Sequence, residues 1–386
     1  MDYTGQPLGF KLRKALRYVR LYGPRRALVK VRSQYHMRRK FDRLPEPDPG
    51  PGGSELHVGI IGCGNFAYSN IAYYLKKNYG RVIRAAMDTD LARAASLYKD
   101  YGLRYYTDDA RKILADPEID LVYVASNHAT HAEYAIPALE RGKSVHIEKP
   151  HVVNREQLVR LCRVMEATGG RVHVGFNRPH SHIGRKMKEA LDSQDGSSMF
   201  NWFVAGHPIH PDHWYYDKEE GGRVLGNLSH WTDLVYRMSD PAGRYPIKIN
   251  PTRGTRPDTD IAVTYLFGDG TIGVITFSAK GETFEGVRES FSAHRGNVLI
   301  TMTDFKEMRI DDLARKRRTS TLFRDHGHEE SIRTGYRMTS RGGAAFGGSP
   351  VAYVWETADL FLATREALER DETVELGPYS PSRLEA

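Results

Sequence analysis

Cysteine is almost missing from this chain: Cys63 and Cys162 are the two present among 386 residues. So few exclude a disulfide framework and fit a reducing cytoplasm. They are too far apart for a CxxC pair, and Cys63, set in a glycine turn, reads as a small buried residue rather than a reactive thiol. Long apolar runs are also missing. No stretch of 18 or more apolar residues occurs, so no transmembrane helix is expected, and the N-terminus has no apolar signal-peptide core. No internal repeat is evident, which argues against a solenoid. Acidic residues are scarce in one place. Residues 1–45 hold 13 Lys/Arg against Asp2 and Asp42, a net of +11 in a chain of net +8, so the remainder stands at −3. The basic balance belongs to an N-terminal arm. It gives no reason to expect nucleic acid as a partner of the whole chain.

What is present is a two-domain length with 40% hydrophobic residues. Leu8, Leu12, Ala15, Leu16 and Val19 recur at helical spacing, with Lys11, Arg13, Lys14, Arg17 and Arg20 between them, so 8–22 reads as a helix. Gly23-Pro24 breaks it, and a second basic helix follows from about Arg25 to Arg39. Residues 1–44 are thus a basic helical arm, and 45–54 a Pro/Gly linker. The folded body starts near Glu55. Apolar strands at 56–61, 82–87, 121–125, 144–148 and 172–176 alternate with helical patterns such as 129–141 and 154–168. That alternation predicts a doubly wound parallel sheet over 55–176. Beyond it, longer strands at 199–205, 260–267, 271–279, 289–294 and 297–303 predict a mostly antiparallel sheet in a second domain, 177–386, closed by a helix from about Ala352 to Arg370. The fold class is α/β followed by α+β.

The first strand runs into Gly62-Cys-Gly64-Asn65-Phe66-Ala67, a dinucleotide fingerprint with alanine in third place. Gly62 permits the tight turn, Gly64 lets the backbone approach a pyrophosphate, and Ala67 keeps the helix near the strand. The helix N-terminus, with Asn65 and Phe66, faces the phosphates. The second strand ends at Asp88, whose carboxylate can accept the ribose hydroxyls and would repel a 2′-phosphate. NAD is therefore favoured over NADP; otherwise Asp88 simply caps the next helix. Asn127, after strand 121–125, is placed to touch the cofactor, and His131 reads as a helix N-terminal residue with a structural hydrogen bond.

Glu148-Lys149-Pro150 ends another buried strand. Proline holds Lys149 extended, where its ammonium can bind a substrate oxygen and stabilise a developing alkoxide. Further on, Gly221-Gly222-Arg223-Val-Leu-Gly226-Asn227-Leu-Ser-His230-Trp-Thr-Asp233 places His230 and Asp233 on one helix face, as a proton-transfer pair or as a core hydrogen bond. His207, His210 and His213 are interrupted by Pro208 and Pro211. They read as a substrate-facing loop with Trp214, Tyr215 and Tyr216 for sugar stacking, rather than as a metal site.

From about residue 55 to 380 the chain resembles the glucose–fructose oxidoreductase, inositol dehydrogenase and MocA (Gfo/Idh/MocA) family. The resemblance is carried by Gly59-Ile-Ile-Gly62-Cys-Gly64, Asp88, Asn127 with His131, Glu148-Lys149-Pro150, Gly175-Phe-Asn177-Arg178, Gly221-Gly222, His230 with Asp233, and Asp325-His-Gly-His328. It implies a Rossmann domain before an open-faced sheet that builds homodimers or homotetramers, with Glu148, Lys149 and Asn177 at the cofactor. It also implies that Lys149 and His230 flank hydride transfer. One position departs: many family members carry aspartate four residues before the histidine, and here Gly226 stands there with Asn227 beside it. The Gly-Gly-Arg-x-x-Gly-Asn variant resembles the branch that serves sugar-nucleotide and surface-glycan pathways. The expected function is an NAD-dependent oxidoreductase of a sugar or nucleotide sugar. The other reading is an NAD-binding scaffold or sensor without turnover. For residues 8–40 the expectation is contact with an anionic membrane, making the protein peripheral on the inner face, or with another subunit; translation from Met37 would remove the arm altogether.

Overall fold

The computed structural model describes residues 3–47, 55–254, 260–280, 286–343 and 346–384. Residues 48–54 of the expected linker lie outside these. The chain forms two compact units: Met1–Val152 with Glu156–Gly175 and Glu329–Val354, and Val153–Arg155 with Phe176–His328 and Trp355–Ala386.

The first unit opens with α1 (Leu8–Tyr22) and α2 (Pro24–His36). Gly23 separates them at φ +84°, and Pro24 stands at the first position of α2, where its missing N–H costs no helical bond. Then β1 (Val58–Ile61), α3 (Tyr73–Tyr79), β2 (Ile83–Met87), α4 (Leu91–Tyr101), β3 (Tyr105–Thr107), α5 (Ala110–Ala115), β4 (Leu121–Val124), α6 (His131–Glu140), β5 (Ser144–Ile147), α7 (Arg155–Thr168) and β6 (Val172–Val174) follow. The strands pair in parallel in the order β3-β2-β1-β4-β5-β6. β1 and β4 are buried along their whole length, as strands covered on both faces must be. The strand order reverses at β1, and the crevice beyond the carboxyl ends of β1 and β4 is where such sheets bind ligands. β3 escapes the sequence reading because it has only three residues, two of them half-buried.

Residues 329–354 return to this unit. Tyr336 stacks on Tyr79 with ring centroids 3.8 Å apart, and its hydroxyl lies 2.9 Å from His57 Nε2. The Tyr123 hydroxyl donates to the Ile332 carbonyl at 2.8 Å. These polar contacts join β1 and β4 to the helix His328–Tyr336, which the sequence pattern alone gives no reason to place there.

The second unit contains α8 (His182–Asp192), β7 (Ser198–Ala205), α9 (Ser229–Met238), β8 (Ile247–Arg253), β9 (Ile261–Leu266), β10 (Ile272–Ser278), β11 (Arg288–Arg295), β12 (Val298–Thr303), β13 (Glu307–Asp312), β14 (Arg315–Ser320), β15 (Val374–Leu376) and most of the final helix, Val351–Arg370. Among the described residues nine strands form one sheet in the order β14-β13-β12-β11-β7-β10-β9-β8-β15, antiparallel except for the β7–β10 pair. Side chains alternate strictly along β7: Phe200, Trp202 and Val204 are buried, whereas Met199, Asn201 and Phe203 face outward. One face of the sheet is therefore open. The expected architecture, a parallel Rossmann sheet and then a mostly antiparallel open-faced sheet, is the one observed. β14 reads Arg-Lys-Arg-Arg-Thr-Ser, so charge hides it from a hydrophobicity pattern; that charge also suits an edge strand, which must resist pairing with another chain.

Two stability predictions follow from burial. Trp202 is fully buried against Phe291 at 4.4 Å and Phe305 at 6.0 Å. Trp202→Ala should cost about 3–5 kcal/mol in urea unfolding; a loss below about 1 kcal/mol would contradict this packing. His151 is fully buried with Nε2 donating to the Val354 carbonyl at 2.9 Å, and burial pushes its pKa down from 6.5 to about 4. The native ring resists protonation more than the unfolded one does. Its contribution is present above pH 6.5 and is lost as pH falls toward 4, on the order of 3 kcal/mol. His151→Gln should flatten that part of the stability–pH curve, and an unchanged curve would remove His151 as its cause.

Candidate active site

β1 delivers the chain into Gly62 at φ +89°. A Cβ there would lie 2.5 Å from the Ala125 carbonyl oxygen, so only glycine lets β1 and β4 end this close together. At Gly64 the opposite holds: a Cβ would meet no protein atom within 4 Å, which leaves the backbone open on the side a pyrophosphate approaches. Asn65 is exposed, Phe66 half-buried and Ala67 buried. The helix after the turn opens as α at Asn65 and Phe66 and then widens. Residues Ala67–Ala72 form a π-helical turn before α3, a feature that recurs at functional sites.

Asp88, at the end of β2, is almost wholly buried. One carboxylate oxygen accepts the Cys63 N–H at 2.7 Å and the other the Asp90 N–H at 2.9 Å. Asp90, not Asp88, caps α4, accepting the Ala92 N–H at 3.1 Å. Asp88 is thus fixed beside the turn, with its charge available to a ribose. The Cys63 thiol is raised well above the ordinary thiol range by burial and then by Asp88, which makes it an inert packing group. The turn and the carboxylate together fit an NAD-type dinucleotide.

The N-terminal arm reaches this turn, which no motif announced. His36, the last residue of α2, is buried with Nε2 donating to the Cys63 carbonyl at 2.7 Å and Nδ1 placed 2.9 Å from the Ser96 hydroxyl. Burial lowers its pKa and favours the neutral ring. The ring stacks on Tyr68 with centroids 4.4 Å apart. Gln34 donates to the Asn65 side-chain oxygen at 3.3 Å, and Arg26 binds the Ser69 carbonyl and, at 2.8 Å, the Asn70 side chain. Arg39 ties the arm to Asp100 at 2.8 Å. The histidine at the end of an otherwise basic helix was the only trace of this in the sequence.

Asn127, exposed, follows β4 at the switch point, and His128 behind it is buried. His131 is fixed by backbone: Nδ1 lies 2.7 Å from the Pro150 carbonyl and Nε2 3.1 Å from that of Ser126. It holds the Lys149-Pro150 segment in place from below. The Lys149–Pro150 peptide is cis, and Lys149 is half-buried. Glu148 is buried over Gly175, 3.2 Å from His146 Nε2; His146 Nδ1 in turn lies 2.9 Å from His173 Nδ1. Lys149 therefore leaves a segment fixed on both sides.

In the second unit, Asn177 is buried and its amide donates to the His326 carbonyl at 2.5 Å. Arg178 makes a two-pronged pair with fully buried Glu289 at 2.8–3.0 Å, and Trp231 Nε1 donates to the same carboxylate at 2.8 Å. Arg178 also covers the Trp231 ring at 4.6 Å. The residue before that pinned tryptophan is His230, half-buried, with its ring 6.4 Å from that of Phe176. A second π-helical turn, Val224–Leu228, carries Gly226 and Asn227 and leads directly into α9 and His230. Asp233 is fully buried, and both its oxygens accept Arg237 Nε at 3.0 Å. Its chief visible duty is to fix Arg237 one helical turn on. His210 pairs with Asp212 at 3.3 Å, and His213 accepts the Tyr215 N–H at 3.3 Å. Among the described residues no group of His, Cys, Asp or Glu has metal-binding geometry. Trp214 and Tyr216 stay partly exposed on that loop.

The His36 contact makes a direct prediction. His36→Phe keeps the ring but strands the Cys63 carbonyl, and should weaken NADH binding, read by fluorescence titration, by about tenfold. An unchanged affinity would separate the arm from the cofactor turn.

Residues 56–176 match the profile of the oxidoreductase family GFO_IDH_MocA, described as having an NAD-binding Rossmann fold. Inositol 2-dehydrogenase 3 from Saccharopolyspora erythraea is 33% identical over 159 residues, which are 41% of this chain and 47% of that protein. The chain thus spans about half the length of this relative. The scyllo-inositol 2-dehydrogenase (NAD(+)) of Bacillus subtilis is 23% identical over 254 residues, 64% of this chain and 74% of that one. Among solved structures, levoglucosan dehydrogenase in complex with NADH and L-sorbose has a TM-score of 0.71 at 18% identity, covering 84% of this chain and 99% of that one, a likeness of fold. The glycine turn, Asp88 and the Glu148-Lys149-Pro150 strand end all lie in the matched segment, so residues 56–176 carry the NAD-binding Rossmann fold of the Gfo/Idh/MocA oxidoreductases.

Proposed function

We propose that this protein is an NAD-dependent oxidoreductase that moves a hydride between the nicotinamide and a hydroxyl or carbonyl carbon of a sugar, polyol or sugar nucleotide. The observation that carries the reading is the pairing, in one unit, of the Gly62–Gly64 turn and Asp88 with Lys149 at the end of β5. Relatives named as inositol dehydrogenases and the NADH complex of levoglucosan dehydrogenase support a polyol or sugar over other alcohols.

The nicotinamide, when bound, supplies the hydride acceptor or donor. The rest falls to the chain. Gly62, Gly64, Asn65, Phe66 and Ala67 would hold the pyrophosphate, Asp88 the ribose, and Asn127 the nicotinamide side. Lys149 binds the reacting oxygen through its ammonium and stabilises negative charge as the proton leaves. His230 takes that proton, or returns it in the reverse direction. Asn227 can orient the substrate by hydrogen bonding but cannot carry a proton. Gly226 offers no side chain to extend a proton route beyond His230. Asp233, buried against Arg237, helps to fix α9. The Gly-Gly-Arg-x-x-Gly-Asn motif supports a role in surface-glycan synthesis. The open sheet face, with Met199, Phe203 and Leu299 outward, supports self-assembly into a dimer or tetramer.

The test is NADH absorbance with a panel of polyols, free sugars and nucleotide sugars. Lys149→Ala should lower kcat by about two to three orders of magnitude while NADH still binds; normal turnover would end the assigned role of Lys149. The wild-type chain should prefer NAD to NADP, and a clear NADPH preference would overturn the reading of Asp88. Turnover abolished by His230→Ala would exclude a non-catalytic scaffold.

A further inference from the structure

We propose that the α1–α2 pair is a docking surface for an anionic lipid bilayer, mounted on the cofactor-binding unit. The proposal is independent of the oxidoreductase reading.

Two faces of the pair have different fates. The inner face of α2 is consumed by the Rossmann unit: Ala27, Ser33 and His36 are buried, and Arg26 and Arg39 are tied to Ser69, Asn70, Ser96 and Asp100. The outer face of α2 presents Arg25, Leu28, Arg32 and Tyr35, one per helical turn, all exposed. α1 has no buried residue at all. Leu8, Leu12 and Leu16 fall on one line at i, i+4, i+8 and are 71%, 55% and 67% exposed. Arg13, Arg17 and Arg20 are exposed along the flank of that line. A leucine row bordered by arginines is the pattern of a helix lying in a bilayer interface, with leucines among acyl chains and guanidinium groups at the headgroups.

Charge selects the occupant. Residues 3–41 contain no Asp or Glu. A second copy docked through the same face would set arginine against arginine with no acid to compensate. A nucleic acid would answer the charge but leave the leucines against a polar backbone. An anionic bilayer answers both, and each Lys or Arg near it adds to the attraction. None of the described helices is long and apolar enough to span a membrane, so the contact is peripheral.

The experiment is co-sedimentation of the full chain with phosphatidylcholine vesicles, with and without phosphatidylglycerol. The expected result is binding to the phosphatidylglycerol vesicles only, reduced about tenfold or more by the triple change Leu8→Ser, Leu12→Ser, Leu16→Ser. Arg13→Gln, Arg17→Gln, Arg20→Gln should do the same, as should salt near 1 M, where the Debye length is about 3 Å. Because the six substituted side chains are all exposed, both triple variants should melt and bind NADH like the parent, which separates docking from folding. Vesicle binding that survives the leucine changes would overturn the proposal. So would absence of vesicle binding with tight binding to duplex DNA instead, or a dimer that the leucine changes dissolve.

Discussion

The backbone of Cys63 is held at both of its polar atoms. Its N–H is accepted by Asp88 and its carbonyl accepts a hydrogen bond from His36. This residue sits between the two glycines that shape the turn, where the chain would otherwise have the most freedom. Because Gly62 also lies against the Ala125 carbonyl, the turn is fixed from β2, from β4 and from the N-terminal arm. The phosphate end of a dinucleotide site thus depends on a carboxylate, a carbonyl contact and an imidazole, from three separate parts of the sequence.

The rest of the first unit extends the same arrangement. Buried polar side chains, rather than apolar ones alone, join its layers: His57 with Asp120 and Tyr336, Tyr123 with Ile332, and His146 with Glu148 and His173. Such groups are costly to bury unless each finds a partner, so they tolerate few alternative packings. The second unit does the same around Glu289, whose carboxylate gathers Arg178 and Trp231 beneath α9. In both units the residue assigned to proton chemistry follows or precedes a residue with no freedom: Glu148 before Lys149, and Trp231 after His230.

Much of this was legible in the sequence, for reasons that can be named. The strands of the first sheet are short apolar runs, and the glycine turn and Glu148-Lys149-Pro150 are local in sequence, so each motif carries its own context. The helix at 8–22 matches its leucine spacing residue for residue. What could not be read is long-range. His36 looks like any histidine until Cys63 is placed beside it. Glu289 lies in a strand with no motif, and Arg178 drew notice only as part of a motif, not as its partner. The return of residues 329–354 to the first unit depends on tyrosine and histidine pairs far apart in sequence. β14 was hidden because an exposed edge strand made of arginine and lysine has no apolar face to detect.

The two π-helical turns, Ala67–Ala72 and Val224–Leu228, lie in the two helices that carry the candidate chemistry. A π turn is an α turn holding one additional residue. The additional residue is taken up within that one wide turn, so the helix beyond it keeps nearly the phase that an uninterrupted α-helix would give it. For the second turn this means that one residue can be gained or lost at 224–228 while His230 stays on its present face of α9. Relatives that differ there by one residue could still present the histidine in the same direction.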